Sequence, residues 1–211
     1  MKKFKRILAT ILAVIFCFNI SITPAYAADT SDSTISDFPL AGTSEIVTID
    51  GTNYKYDYYM ENGLRKIDVT NMNTNTVEKV AYDPETYTMY LNGSIVSTMP
   101  DLPITPYSIG TTADGWEILS AESHKISWGE GMSVAALAAM IGAALGFAGG
   151  AAVIGAIGMA GLSVIAAGSV GGTVYLELHM FTAPFAQPQY RYMWTFTPST
   201  GEVYGPYYNP V

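Results

Sequence analysis

The 211-residue chain carries little charge, and its basic residues are scarcer than its acidic ones. Only 13% of residues are charged, with 10 Lys and Arg against 18 Asp and Glu, giving a formal net charge of −8. A disordered chain is excluded, because it needs low hydrophobicity and high net charge, whereas 49% of this chain is hydrophobic. Nucleic acid is not expected as a partner, because phosphate binding needs clustered Lys and Arg.

Cysteine is nearly absent, since Cys17 is the only one. A single Cys excludes both a disulfide framework and a cysteine zinc site. The signatures H-E-x-x-H, G-x-S-x-G, the P-loop and the dinucleotide-binding fingerprint are also missing from the sequence. We therefore expect a protein that is not an enzyme and uses no cofactor.

Two histidine–carboxylate pairs are the remaining candidates for chemistry. Glu122 and His124 are two residues apart, and so are Glu177 and His179. On strands each pair would point to one side of a sheet, where a metal or a proton could be held. Spacings this short also arise by chance, and interface histidines are common. We therefore predict no metal site, and keep an enzyme using either histidine as the weakest alternative.

The first 27 residues have the pattern of a secretion signal. Residues 1–6 carry four basic side chains, residues 7–20 are an apolar run, and Ala25 and Ala27 supply the small residues of a signal peptidase site. The apolar run is shorter than the roughly 20 residues that a membrane span needs. Cleavage after Ala27 leaves 18 acidic and six basic residues, a net charge of −12. We expect a secreted, extracellular protein, either free or membrane-associated.

Residues 45–130, after a flexible lead at 28–44, have the pattern of an antiparallel sheet. Short runs alternate polar and apolar side chains, and turn signals such as Asn92-Gly93 separate them. Five or six strands at spacings of about ten residues predict a β-meander. Two further short strands are predicted at 115–119 and 123–128.

Residues 131–176 form the most informative segment, because these 46 residues contain no charge. They include 11 Gly and 13 Ala. Gly149-Gly150 divides the segment into two arms, 132–148 and 151–170. Each arm is long enough to be a helix and near the lower limit for crossing a bilayer. The sequence predicts an α+β fold in which a Gly/Ala-rich helical hairpin is inserted before a C-terminal β-hairpin.

Small residues recur along both arms at helical spacing. In a nonpolar medium such stripes let two helix backbones approach closely, so we predict that they pack helices together, within a bilayer or between two copies of the chain. The predicted packing residues are Ala138, Gly142, Gly146, Gly150, Gly155, Gly158 and Gly161.

So many glycines need a packed environment, because each costs about 1 kcal/mol against alanine in an exposed helix. The core of the protein, a permanent transmembrane hairpin, or a sheltered segment released later into a membrane would each supply one. A chain this short rarely hides so long an uncharged stretch, which favours a membrane-embedded state. The turn at Gly149-Gly150 lacks the Lys or Arg of a cytoplasmic loop, which disfavours a permanent anchor. Conditional insertion, with membrane lipid as partner, is the favoured state.

Residues 177–211 are rich in aromatic side chains and have the pattern of a C-terminal β-hairpin. Tyr190, Tyr192, Trp194 and Phe196 alternate, so a strand would place all four on one face. Such a face packs against another layer, lies at a membrane interface, or stacks on sugars. We predict one sheet in which this hairpin joins the meander.

The order of parts resembles that of secreted Gram-positive proteins of the large, geobacillin-type bacteriocin kind. The resemblance spans nearly the whole chain after Ala27. The residues that carry it are Ala25-Tyr26-Ala27, Tyr82-Asp83-Pro84, Tyr90-Leu91-Asn92-Gly93, the run 131–176, Trp194-Thr195-Phe196-Thr197-Pro198 and Tyr204-Gly205-Pro206-Tyr207-Tyr208. The resemblance implies that the Gly-rich run is the active element against a target membrane.

Two functions follow as expectations. The first is a secreted, membrane-active protein of bacteriocin or toxin type, whose Gly/Ala hairpin perturbs a target bilayer. The second is a non-enzymatic binding or structural protein of the cell surface or exterior, whose hairpin is a buried core or an anchor.

Overall fold

A computed structural model describes residues 38–98, 110–129 and 131–211, which all belong to one compact unit. The predicted signal cleavage site at Ala25 and Ala27 and most of the predicted lead lie outside these residues. The strands in the described part are β1 (Ser44–Ile49), β2 (Thr52–Glu61), β3 (Leu64–Asn71), β4 (Thr76–Asp83), β5 (Thr88–Leu91), β6 (Ser94–Ser97), β7 (Glu117–Ser127), β8 (Gly171–Phe181), β9 (Gln189–Pro198) and β10 (Tyr204–Pro210). The helices are α1 (Val134–Leu145), α2 (Gly150–Ile157) and α3 (Met159–Gly168).

The first sheet is the predicted meander. Its strand order is β1-β2-β3-β4-β5-β6, so each strand pairs with the next one along the chain. Asn92-Gly93 joins β5 to β6 with positive φ at both residues, the conformation that favours Asn-Gly in a hairpin. Alternation then places the apolar residues of the central strands on a single face, where Tyr56, Ile67 and Val80 are buried.

The second sheet has the order β10-β9-β8-β7. The prediction of one continuous sheet is therefore wrong, since the C-terminal hairpin β9–β10 pairs with β8 and not with the meander. The two short strands predicted at 115–119 and 123–128 are a single strand, β7, with a register shift between Ile118 and Ser120. Two sheets form because α1 has apolar side chains on every side and needs a cover on each.

Helix α1 lies in the core and contacts β3 and β4 of the first sheet and β7 and β8 of the second. All of its residues except Val134 are buried. A helix that is apolar on all sides is stable only when it is surrounded, as α1 is here. The predicted α+β fold, with Gly/Ala helices before a C-terminal β-hairpin, is confirmed.

The Gly/Ala segment contains three helices, so the prediction of two arms is corrected. The second arm breaks at Gly158, where φ is +84°, a value that residues with a side chain rarely adopt. The helical part ends at Gly168, and β8 begins within the predicted hairpin at Gly171. Within the described ranges no single helix is long and apolar enough to cross a membrane, whereas α1 and α2 reach that length only as a pair bent by 104°.

Candidate functional site

The N-terminus of α1 is held by side chains from its own cap and from the first sheet. The hydroxyl of Ser133 accepts a hydrogen bond from the Ala136 amide at 3.0 Å and donates one to the carboxylate of Glu78. The buried hydroxyl of Tyr56 donates to the carbonyl of Ala135 at 3.1 Å. These bonds satisfy groups that a helix end leaves without intrahelical partners.

The C-terminus of α1 is held by Arg65 on β3. Its guanidinium donates to the carbonyls of Ala143 at 3.3 Å and Ala144 at 3.5 Å. A cation at this position also interacts favourably with the negative end of the helix dipole. Gly146 follows with φ of +80°, and a Cβ there would lie 2.5 Å from Nη1 of Arg65. The guanidinium therefore occupies the space that a larger residue would need.

The junction between α1 and α2 is fixed by Glu45 on β1 and Tyr58 on β2. Tyr58 donates its hydroxyl proton to the Glu45 carboxylate and accepts from the Gly150 amide at 2.7 Å. Glu45 also accepts from the Ala151 amide at 2.9 Å. Burial, and then the charge of Glu45, raise the pKa of the Tyr58 hydroxyl above its usual range. A buried, neutral tyrosine and an acid thus cap the first turn of α2.

The glycine stripe of the first arm packs within the chain. A Cβ on Gly142 would lie 2.6 Å from the carbonyl oxygen of Ala148, and a Cβ on Gly150 would overlap the ring of Tyr56. Ala138 is fully buried in the core beside them. The first arm therefore uses its small residues to let its own loop and the first sheet approach α1.

The second arm is open by comparison. A Cβ on Gly155 or on Gly158 would meet no atom within 4 Å, whereas Gly161 lies against the ring of Tyr204. We define the α2–α3 face as the exposed residues of these two helices. It has no charged side chain and consists of Ala152, Gly155, Ala160, Val164, Ala167 and Gly168.

The four alternating aromatic residues of β9 do share one face, but they differ in exposure. Trp194 and Phe196 are fully buried in the core, while Tyr192 is half-buried and Tyr190 is 42% exposed. Tyr192 stacks on Phe147, with ring centroids 4.2 Å apart, and Trp194 donates to Asn209 on β10. Core packing therefore occupies the end of this face nearest the helices, and only Tyr190 retains an interfacial position.

Both histidine–carboxylate pairs have the predicted same-side geometry. His124 Nε2 lies 3.3 Å from Glu122 Oε2, and His179 Nε2 lies 2.7 Å from Glu177 Oε2. The β7–β8 register aligns Glu122 with Leu176, so Glu177 and its histidine point to the opposite face of the sheet. The pairs therefore do not combine, and the described residues contain no group of three His, Cys, Asp or Glu that could hold a metal.

Each histidine is occupied by structural contacts. His124 Nδ1 bonds the hydroxyl of Tyr82 at 2.7 Å, which ties the two sheets together. The Nε of Arg191 donates to Nδ1 of His179, so Nε2 of that ring carries the proton given to Glu177. Both rings are buried and bonded to side chains of neighbouring strands. Their arrangement is that of buried polar bridges.

A cavity of about 240 Å³ lies between the sheets near the C-terminus of α1. Its polar side chains include Arg65, Ser120 and Glu122, and Leu145 and Leu176 form part of its apolar wall. The neighbouring ring of His124, with Nε2 3.3 Å from the carboxylate, lowers the pKa of Glu122, and the charge of Arg65 acts in the same direction. The cavity therefore places a carboxylate and a guanidinium at the end of a buried helix.

Sequence reasoning missed the two charged side chains that hold the helices, although the pattern contained a signal. Arg65 alternates with Ile67 and Val69, and Glu45 lies two residues from Val47 on the face of the buried Ile49. A charge on the apolar face of a strand must find a partner inside. The helix ends supply those partners.

Comparison with protein-family models, with curated proteins and with solved structures finds no match for this chain.

Proposed function

We propose that this chain is a secreted, membrane-active protein whose fold stores a Gly/Ala segment for contact with a target bilayer. The observation that carries the proposal is the α2–α3 face, an exposed helical surface without charge. Of the residues on it, Val164 is 64% exposed, and Gly155 has open space above it. A water-exposed helix gains nothing from such glycines, whereas a nonpolar medium uses them for close packing.

The folded form supports conditional insertion because it shelters α1, an uncharged helix, from water. Helix α1 is enclosed by both sheets, and the polar bonds to it from outside the segment lie at its two ends, from Tyr56 and Glu78 at one and from Arg65 at the other. In the proposed reaction the α2–α3 face enters the lipid before α1 does. Release of the end contacts then frees α1 to follow it. Membrane lipid is the partner, and a second copy packs through Gly155 and Gly158.

Dye release from liposomes by the purified protein tests the proposal. Wild type is expected to release dye, and Val164→Lys to release far less, because a charge on the α2–α3 face opposes burial in hydrocarbon. Ile46→Lys is the matched control, since Ile46 is 60% exposed on β1, outside the Gly/Ala segment. Gly155→Leu should also reduce release, because it blocks close approach of a second helix without a clash in the folded form.

Two outcomes would contradict the proposal. One is the absence of dye release by the wild type at both neutral and acidic pH. The other is equal release by wild type, Val164→Lys and Gly155→Leu. Circular dichroism and thermal melts must first show that each variant is folded, so that loss of structure is not read as loss of membrane activity.

The second candidate is an extracellular binding or structural protein in which the segment is a permanent core. The complete burial of α1 between two sheets favours it. It predicts recovery of a stable monomer from the medium and no dye release under any condition. The liposome experiment therefore distinguishes the two functions directly.

A further inference from the structure

The loop between β8 and β9 presents a phenylalanine to solvent in an unfavourable conformation. Phe185 is fully exposed, at 111% of its reference area, and its φ is +65°. Its turn is closed by a hydrogen bond from the Ala186 amide to the carbonyl of Ala183, with Pro184 at the second position. A turn with proline second and positive φ third ordinarily has glycine third. A bulky aromatic residue there contributes nothing visible to the stability of the fold.

The surroundings of Phe185 are aromatic and carry few charges. Tyr190 is 42% exposed and Tyr208 is 53% exposed, and the ring of Trp116 packs at a tilt against Phe181 at the base of the loop. Between Glu177 and Glu202 the sequence has one charged side chain, Arg191. Tyrosine, tryptophan and phenylalanine are the residues that favour the interface of a bilayer. Asp114 and Glu117, on the segment that precedes and begins β7, add two acidic side chains at the base of the loop.

Arg191 is held at the base of this region in a fixed orientation. Its guanidinium lies between the rings of Trp116, at 4.1 Å, and Tyr208, at 4.5 Å. Nη2 pairs with Asp114 at 2.9 Å, and Nε donates to His179. Nη1 has no hydrogen-bond partner in the part of the chain that the structure describes. It remains available to a phosphate oxygen while Asp114 balances the charge.

A cavity of about 540 Å³ adjoins the loop. It is lined in part by Pro188, Tyr190, Arg191 and Tyr208. Polar amides from Gln189 and Asn209 line it as well. A lipid headgroup at this place would meet a guanidinium and two amides beside the tyrosine rings, and Phe185 lies in the adjoining loop.

We infer that the β8–β9 loop is the bilayer-docking element of this protein, with Phe185 entering the lipid and Arg191 at the headgroup phosphate. The inference rests on the proposed function and names its contact with lipid. The strand β8 separates this loop from the C-terminal end of α3 by about 33 Å. Docking through the loop concentrates the protein at the membrane before the helices are released.

Co-sedimentation of the purified protein with phosphatidylcholine vesicles tests the inference. These vesicles have no net charge, so the acidic chain is not repelled. Phe185→Ser should lower the partition coefficient about tenfold, because a phenyl group no longer leaves water. Phe185→Trp should retain binding. Ile95→Ser on β6 is the matched control, because Ile95 is 61% exposed in the other sheet, and it should bind as wild type.

The inference is overturned if wild type does not sediment with vesicles, or if Phe185→Ser binds as wild type does. Capture of a protein through Phe185 without vesicle binding would equally overturn it in favour of a protein partner. Its failure is distinguishable from that of the proposed function. Vesicle binding that depends on Phe185 but causes no dye release refutes the function alone, and dye release with unaltered binding by Phe185→Ser refutes the docking element alone.

Discussion

Helix α1 and the pair α2–α3 have nearly the same composition and very different environments. All three helices are uncharged and rich in Gly and Ala. In α1 only Val134 is not buried, whereas α2 buries Gly150 and Val153 and α3 buries Leu162 and Ile165. The difference shows that composition alone does not decide which helix becomes the core.

The polar partners that the first sheet offers to the helix ends distinguish α1 from α2 and α3. The ends of α1 find Ser133, Tyr56 and Arg65, whereas α3 begins at Gly158 with no side-chain cap. Polar groups of the first sheet satisfy both ends of α1, but only the beginning of α2. The remaining two helices cover an edge of the core and leave one face open.

The largest change in stability is expected at a closely packed glycine of α1. Gly142→Leu should destabilise the fold by about 3 kcal/mol, because its side chain would displace the backbone at Ala148. Gly155→Ala, in open space on α2, should be neutral or stabilise by up to about 1 kcal/mol through helix propensity. Urea unfolding of both variants measures the difference. Equal destabilisation would mean that the two regions are not packed differently.

A smaller effect is expected where the two regions meet. Glu45→Ala removes the acceptor for the Ala151 amide and for the Tyr58 hydroxyl, and should cost about 1–2 kcal/mol. Glu117→Ala, on an exposed position of β7, is the control and should change stability little. Hydrogen exchange should show faster opening of α2 than of α1 in Glu45→Ala. Uniform acceleration across all three helices would contradict a local role.

The smallest change in stability is expected at low pH, through Glu122 near the C-terminal end of α1. The pKa of Glu122 is lowered in the folded state, so the unfolded chain takes up this proton first as the pH falls. The stability that the ionised Glu122 contributes is therefore present above about pH 4.3, the ordinary pKa of a glutamate. It is lost as the pH falls through the lower pKa that Glu122 has in the folded state. Because Glu122 is half-exposed, the contribution is less than about 1 kcal/mol.

Glu122→Gln tests this contribution by its pH dependence. The variant should be slightly less stable than wild type at pH 6, and the gap should narrow at pH 3. Thermal melts at the two pH values measure it. A gap that stays constant with pH would show that the Glu122 charge has no part in holding α1.

Much of the fold could be predicted from local patterns. Alternation and Asn92-Gly93 predicted the meander, and the absence of charge from 131–176 predicted its helices. The separation into two sheets could not be predicted, because it depends on α1 taking the central place. Nothing in the local pattern of β9 says that it pairs with β8 and not with β1.

The candidate site was predictable only in part. The stripe from Ala138 to Gly150 is predicted to pack two helices together, whereas in the fold its neighbours are Tyr56, Arg65 and the chain's own loop. Those partners lie roughly 80 residues away in sequence, beyond the reach of helical periodicity. Phe185 was passed over because a single aromatic residue between two prolines has no periodic signal at all.

The order of the meander has a consequence for how the protein is made. Every strand of the first sheet pairs with its neighbour along the chain, so the sheet can form one hairpin at a time during synthesis. Its apolar face, with Tyr56, Ile67 and Val80, must then wait for α1, which is synthesised more than fifty residues after β4. During that interval the nascent chain exposes an apolar, aggregation-prone surface. A chaperone that shields the growing chain during this interval is therefore expected to raise its yield.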